Sequence, residues 1–373
     1  MIKIKVFHED NVYVAAKKRL NYLFDEFEDI YVSVSGGKDS TVALFMTLEV
    51  ARERNRKVGL FFLDQEFEYE STIALIREWM HMPEVIPYWL QAPLKMYNAN
   101  SPTMPYVITW DKERKDTWMR DLEPDSMHEK TFGKSDRFHE TLEEFTDWRQ
   151  EVTGLKTCCI TGMRAEESFN RFRATTSGIT YKNITWGRKN GNTVTFHPFY
   201  DWTFRDVWKY IHDNNLKYNS VYDKFYQLGV PIRDMRVSNL IHEYTIATVI
   251  YLAEVEPQTY EKLTRALHGI STSAKFAEDF IPKKLPEMFT SWKEYRDYLV
   301  DTIVAPQYRE GFKKVWEGQA DDERIYRMHC IECIKSDVTH TVNNDRTAKI
   351  SGKIKKKRRE KLLEEMRGKQ NEH

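Results

Sequence analysis

Six consecutive residues, Ser35-Gly36-Gly37-Lys38-Asp39-Ser40, combine two hydroxyls, a glycine pair, an amine and a carboxylate. That set suits a polyanionic ligand. Two glycines let the backbone turn sharply and come close to what it binds. Lys38 adds a positive charge, and Ser35 and Ser40 add hydroxyl donors. The residues just before, Asp29 to Val34, are rich in β-branched and aromatic types and predict a buried strand. From Ser40 onward the pattern predicts a helix that turns Val42, Phe45 and Val50 toward a core. The string therefore ends at a helix N-terminus, where free N–H groups and the helix dipole favour an anion. It is not a Walker A motif, because Asp39 follows Lys38 where Ser or Thr is needed. The Gly-x-Gly-x-x-Gly dinucleotide pattern is absent too.

Further along, Val58 to Leu63 is apolar throughout, as a parallel strand covered on both faces should be, and it ends at Asp64. Ligands of open parallel sheets bind at the carboxyl ends of the strands, which puts Asp64 one strand along from the glycine pair. Glu66, Glu68 and Glu70 follow, open to two readings: a solvated acidic turn or a metal-binding stretch. Residues 157–161 predict another strand, broken by Gly162. Arg164 then sits where its fork could bind phosphate or sulfate. Thr203, with Asp206 three residues on, reads as a capping box opening a helix with Val207, Tyr210 and Ile211 buried. Val85 to Leu90 is a weaker strand because of Pro87.

The Ser35–Ser40 string resembles the pyrophosphate loop of the ATP-pyrophosphatase and PAPS-reductase superfamily. Gly162-Met163-Arg164-Ala165-Glu166-Glu167-Ser168 resembles that family's Gly-x-Arg-x-x-Glu-Ser segment. Pro198 to Trp208, with Tyr218-Asn219-Ser220-Val221-Tyr222-Asp223 downstream, resembles a third signature. The likeness runs over about residues 28–230 in the family's order. Trp186 to Asn190, Tyr222 to Gly229 and Ala266 to Ser271 further resemble immunoglobulin-binding-regulator relatives, often found with a ParB-like partner. The resemblance implies an α/β fold of the adenine nucleotide alpha hydrolase-like kind, a Rossmann-like parallel sheet with helices on both faces, plus a C-terminal helical region. It implies nucleotide binding by Ser35, Gly36, Gly37, Lys38, Asp39, Ser40, Asp64, Gly162 and Arg164. Lys38, Asp39 and Arg164 would be catalytic, and Mg²⁺ would lie near Asp39 or Asp64. The expected reaction cleaves ATP between the α and β phosphates to activate an acceptor, with sulfur transfer as one analogy. Reduction of PAPS through a cysteine is an alternative, as is a nucleotide-sensing regulator.

The composition frames these readings. The chain has 373 residues, formal net charge +0 and 41% hydrophobic residues, which excludes a disordered chain or a generic polyanion binder. No apolar run approaches a membrane span, and the N-terminus lacks a signal peptide's apolar segment, so a soluble cytoplasmic protein is expected. We expect a nucleotide-binding domain over 1–235, with an insertion at about 91–150. A helical region over 236–345 and a basic tail over 346–373 follow. The tail could contact nucleic acid, although its glutamates offset the charge. Four cysteines do not make a disulfide framework. Cys330 and Cys333, with His329 and His340 nearby, could hold zinc or an iron–sulfur cluster, though the spacing fits neither well. Cys158 and Cys159 fall inside a strand and should point to opposite faces.

Overall fold

The computed structural model describes residues 8–98, 106–128, 132–133, 135–176, 180–232, 234–237, 239–241, 246–267, 270, 284–334 and 337–338. The basic tail and His340 lie outside them. Two compact units emerge. The first takes residues 1–96, 108–240 and 252–262, and the second takes 97–107, 241–251 and 263–373. The first unit thus runs slightly past the boundary expected at 235 and regains a short later segment.

The first unit begins with α1 (Val12–Glu26), whose first turn is capped by the Asn11 side chain on the Val14 N–H. It leads into β1 (Asp29–Val34), α2 (Lys38–Glu53), β2 (Val58–Leu63), α3 (Glu70–Met80) and β3 (Val85–Leu90). Two short strands, β4 (Lys95–Tyr97) and β5 (Tyr106–Ile108), lie outside the main sheet, before α4 (Phe138–Thr153). Then come β6 (Thr157–Ile160), α5 (Phe169–Thr176), β7 (Thr180–Tyr181), β8 (Ile184–Asn190), β9 (Thr193–Phe196), α6 (Phe204–Asp213) and α7 (Val221–Gln227). The main sheet has seven strands in the order β3-β2-β1-β6-β9-β8-β7. The five from β3 to β9 are parallel, and β8 and β7 add antiparallel at one edge. Pro87 is tolerated because β3 is the opposite edge, where a missing N–H need not break a ladder.

Alternation along the strands builds two cores. Ile30, Val32, Leu60, Phe62 and Cys158 face one side with α1, α2, α3 and α6. Tyr31, Phe61 and Cys159 face the other with Phe145 of α4. Helices cover both faces, and the two cysteines point to opposite sides of the sheet as the strand period requires. The order also reverses at β1. The chain steps from β1 to β2 to β3, then crosses back to β6 on the other side. A switch point of this kind opens a crevice at the strands' carboxyl ends, here between the residues after β1 and those after β6.

The second unit is described by its own core. Helices at Trp292–Thr302, Pro306–Trp316 and Glu323–Ile334 pack around Leu299, Val300, Phe312, Trp316, Cys330 and Cys333. Ser291 caps the first of them through the Glu294 N–H. Within the expected helical region, residues 246–255 form two short helices, Ile246–Val249 in this unit and Leu252–Val255 in the first. Among the described residues no helix is long and apolar enough to cross a membrane.

His197, just after β9, is buried, and its Nδ1 lies 2.7 Å from the Thr161 hydroxyl. Burial, with the charges of Arg188 and Arg171, pushes its imidazole down to about 4. The fold therefore keeps His197 neutral where an unfolded histidine, ordinarily near 6.5, would take up a proton. Stability is expected to fall as pH drops from about 6.5 toward 4, by on the order of 3 kcal/mol for this group. His197→Gln should remove that part of the slope, as read by urea unfolding of both proteins across the interval.

Candidate functional site

The residues after β1 form a tight cradle. Gly36 sits at φ +69°, a left-handed conformation in which a side chain is strained, and a Cβ there would meet Thr72 Cγ2 at 2.7 Å. The Ser40 hydroxyl donates to the Gly37 carbonyl (2.9 Å) and accepts from the Ser35 N–H (3.2 Å), which closes the turn. Gly37 precedes α2 without a side-chain cap. The N–H groups of Asp39 and Ser40 take no acceptor among the described residues, as expected in a helix's first turn. They are available to an anion.

Three expected charges meet here. Asp39 Oδ2 accepts from Lys38 Nζ at 2.8 Å, and Oδ1 accepts from Arg164 Nε at 2.6 Å. Burial alone would raise the Asp39 carboxyl, but the charges of Lys38 and Arg164 and their hydrogen bonds outweigh it, and the shift is downward. Burial likewise opposes the charge on Lys38 and Arg164, and their acidic neighbours, with Tyr222 beside Lys38, hold both above their usual values. Arg164 is delivered by the turn after β6, where a Cβ on Gly162 would strike the Asp39 carbonyl. A second fork of Arg164 reaches Glu166 at 3.1 Å, and Glu166 also accepts from the Phe204 N–H at the start of α6 (2.8 Å). Arg164 is followed by a 3-10 turn, Ala165–Glu167, before α5 begins. Glu167 closes that turn by accepting from the Arg164 N–H (3.2 Å), and Arg171 pairs with Glu167.

Asp64 ends β2 as expected, but its carboxylate is fully enclosed. Trp89 Nε1 (2.9 Å) and Gln91 Nε2 (3.0 Å) donate to one oxygen. Arg120 and the Glu66 N–H (3.0 Å) hold the other. Both oxygens of Asp39 are engaged as well. The two carboxylates thus do not fit a ready Mg²⁺ site. Nor do Glu66 and Glu68 make a solvated turn. Glu66 is buried at φ +67° and accepts from the Trp110 N–H and Arg114, both at 2.7 Å. Glu68 is buried too, and only Glu70 reaches solvent. The tryptophans of 91–150 are partly a scaffold for this turn, since Trp110 Nε1 also donates to the Asp64 carbonyl (2.7 Å).

Several contributors carried no individual role in the sequence reading. The Tyr222 hydroxyl accepts from the Lys38 N–H (3.1 Å) and closes one side of the cradle. Asn219 Nδ2 donates to Thr72 Oγ1 (2.9 Å), fixing the residue that packs on Gly36. The Glu256 carboxylate accepts from the N–H groups of Glu70 (2.8 Å) and Ser71 (3.1 Å) at the start of α3. The Tyr-Asn-x-x-Tyr-Asp motif pointed at the first two, and nothing local points at Glu256. Asp206 completes the capping box with Thr203, whereas Asp201 forms a bidentate pair with Arg19 of α1 rather than a cap.

All four cysteines of the chain are buried and free. Burial raises Cys159 and Cys330 to about 12, and Cys158 and Cys333 well above the usual thiol range. A nucleophilic thiolate needs the opposite environment. Cys330 and Cys333 line a helix core, and His329 stacks on Trp316 and meets Gln319 at 3.0 Å instead of joining them. Among the described residues no group of three or more Cys, His or acidic side chains gathers around them, so they do not make a zinc or iron–sulfur ligand set.

Residues 29–229, more than half of the chain, match the phosphoadenosine phosphosulfate reductase domain, and the chain belongs to that family. It is 26% identical over 319 residues to the uncharacterized protein YbdN of Escherichia coli, covering 80% of this chain and 78% of that one. It is 33% identical over 85 residues to an adenosine 5'-phosphosulfate reductase of Anoxybacillus flavithermus, covering 23% and 32% of the two chains. Among solved structures, a phosphoadenylyl-sulfate reductase from Candida auris in a phosphate complex aligns with TM-score 0.33 and 16% identity. That match covers 59% of this chain and 93% of the other.

Gly162→Ala is expected to push the start of α2 away from the turn after β6 and cost about 1–3 kcal/mol, as overpacking does. Gly311→Ala, in a helix with open space around it, should gain roughly 0.5–1 kcal/mol. Denaturant midpoints of the two variants would test the contrast.

Proposed function

We propose that this member of the phosphoadenosine phosphosulfate reductase domain family binds ATP, with its β,γ-pyrophosphate on residues 35–40, and cleaves it between the α and β phosphates. The observation that carries this reading is the meeting of Lys38, Asp39 and Arg164 at the open N-terminus of α2. Two cations and a row of free N–H groups surround one point, where charge on a departing pyrophosphate would need them. An acceptor would attack the α phosphorus as the bond to the bridging oxygen breaks. Pyrophosphate would leave onto the cradle, and the acceptor's proton would pass to solvent. Asp39 keeps both cations oriented while the site is empty of phosphate. Ser40 shapes the turn, and Gly162 lets Arg164 approach. Sulfur transfer to the activated acceptor is the family analogy for the next step. The burial and raised values of all four thiols favour this reading over reduction of PAPS by a cysteine.

The test is calorimetric binding of ATP with excess Mg²⁺, followed by an assay of pyrophosphate release with candidate acceptors. Wild type is expected to bind, and Lys38→Ala or Ser40→Ala to weaken binding by about tenfold or more, the loss of one charged or well-placed hydrogen bond. Binding of PAPS in place of ATP, with consumption of a thiol reductant, would overturn the reading.

A further inference from the structure

Beside the cradle, at the carboxyl ends of β1 and β2, lies a cavity of about 120 Å³. An engineered cavity of about 150 Å³ holds one benzene, so this one is in the range of a single flat ring. Its walls include Val34, Phe61, Phe62 and Leu142, with Ser35 at the border of the phosphate loop. Glu68 also lines it and is 5% exposed. Among the described residues the Glu68 carboxyl has no hydrogen-bond partner. The other acidic side chains of this turn are held or exposed: Asp64 is partnered through both oxygens, Glu66 holds Arg114 and the Trp110 N–H through Oε2 alone, and Glu70 faces solvent. A buried carboxyl left without a partner is costly and calls for an explanation at the site it faces.

We propose that Glu68 is the specificity residue for the nucleotide base, its carboxyl accepting from the exocyclic amine and donating to the adjacent ring nitrogen of an adenine-type base whose six-membered ring enters this cavity. The inference rests on the phosphate-loop reading above and adds to it the group that chooses the base. A neutral carboxyl has one O–H donor beside one acceptor, which matches an amine next to a bare ring nitrogen. An ionised carboxylate has acceptors only and matches the two N–H groups of guanine instead. The surroundings favour the neutral form. Burial, then the charge of Asp64, raise Glu68 to about 8 against the opposing charge of Arg120. The turn that presents it is rigidly held. Arg120 donates to the Glu66 carbonyl (2.7 Å), and the Glu68 N–H donates to the same carbonyl (3.0 Å).

The experiment measures binding of ATP, GTP, purine riboside triphosphate (which lacks the 6-amino group) and tripolyphosphate to the full chain with excess Mg²⁺. Wild type is expected to prefer ATP to GTP and to purine riboside triphosphate, the latter by about tenfold. Glu68→Leu should lose about that factor for ATP and none for tripolyphosphate, so that ATP and purine riboside triphosphate bind it alike. Glu68→Gln keeps a donor beside an acceptor and should retain ATP affinity, as glutamine does when it reads adenine. Wild type binding ATP and purine riboside triphosphate equally would overturn the base-reading role and leave the loop reading standing. That comparison needs no variant to fold. Failure of ATP and tripolyphosphate alike to bind would overturn both.

Discussion

The site depends on one half-buried carboxylate shared by two cations. Removing three charged groups from water carries a large desolvation penalty, and it is offset only when every charge has a partner. Asp39 meets that condition for Lys38 and Arg164 at once. The clamp also has a mechanical role, since it joins the first turn of α2 to the turn after β6. Those are the two segments that flank the switch point of the sheet. The close approach of Gly162 to the Asp39 backbone and the link from Glu166 to α6 follow from that union. On the proposed reading, an arriving phosphate would compete with Asp39 for the same two cations, so binding would exchange one well-satisfied arrangement for another.

Glu68 stands in the opposite electrostatic position. Asp39 lies half-buried beside two positive charges, which hold its carboxyl below the usual range, whereas burial first, and then the charge of Asp64, push Glu68 upward. Two carboxyls of one crevice are thus pushed in opposite directions by their surroundings. On the proposed reading, one crevice would supply a charged clamp for phosphates and an uncharged hydrogen-bonding pair for a ring.

What could be read from the sequence was what short-range periodicity and capping determine. The strands at Asp29–Val34 and Val58–Leu63, the glycine turn, the Thr203–Asp206 box and the opposed cysteines all depend on neighbours a few residues away. The charge cluster was legible as a set of residues, since Lys38, Asp39 and Arg164 each stood in a recognisable motif. What escaped was pairing across long separations. Arg120 takes the Asp64 carboxylate that sequence position had offered to a metal, and Tyr222 and Asn219 close the cradle from the other end of the domain. The acidic run 66–70 was open to a solvated or a metal-binding reading because its charges are dense. Glu66 is instead buried under Trp110, Arg114 and Arg120 of the insertion, while Glu70 reaches solvent.

The long reach of those pairings sets the order in which the chain can become competent during synthesis. A nascent chain that has just emerged past Ser40 carries the whole glycine-rich string yet has no Arg164 to balance Asp39 and no Tyr222 beside Lys38. The start of α3 waits still longer for Glu256. At roughly 5–20 residues per second, the interval from residue 40 to residue 256 is on the order of 10–40 s. During that time the first strands can pair while a charged, half-built crevice remains exposed at their ends. Fragments ending before residue 219 therefore carry the motif without its completed architecture.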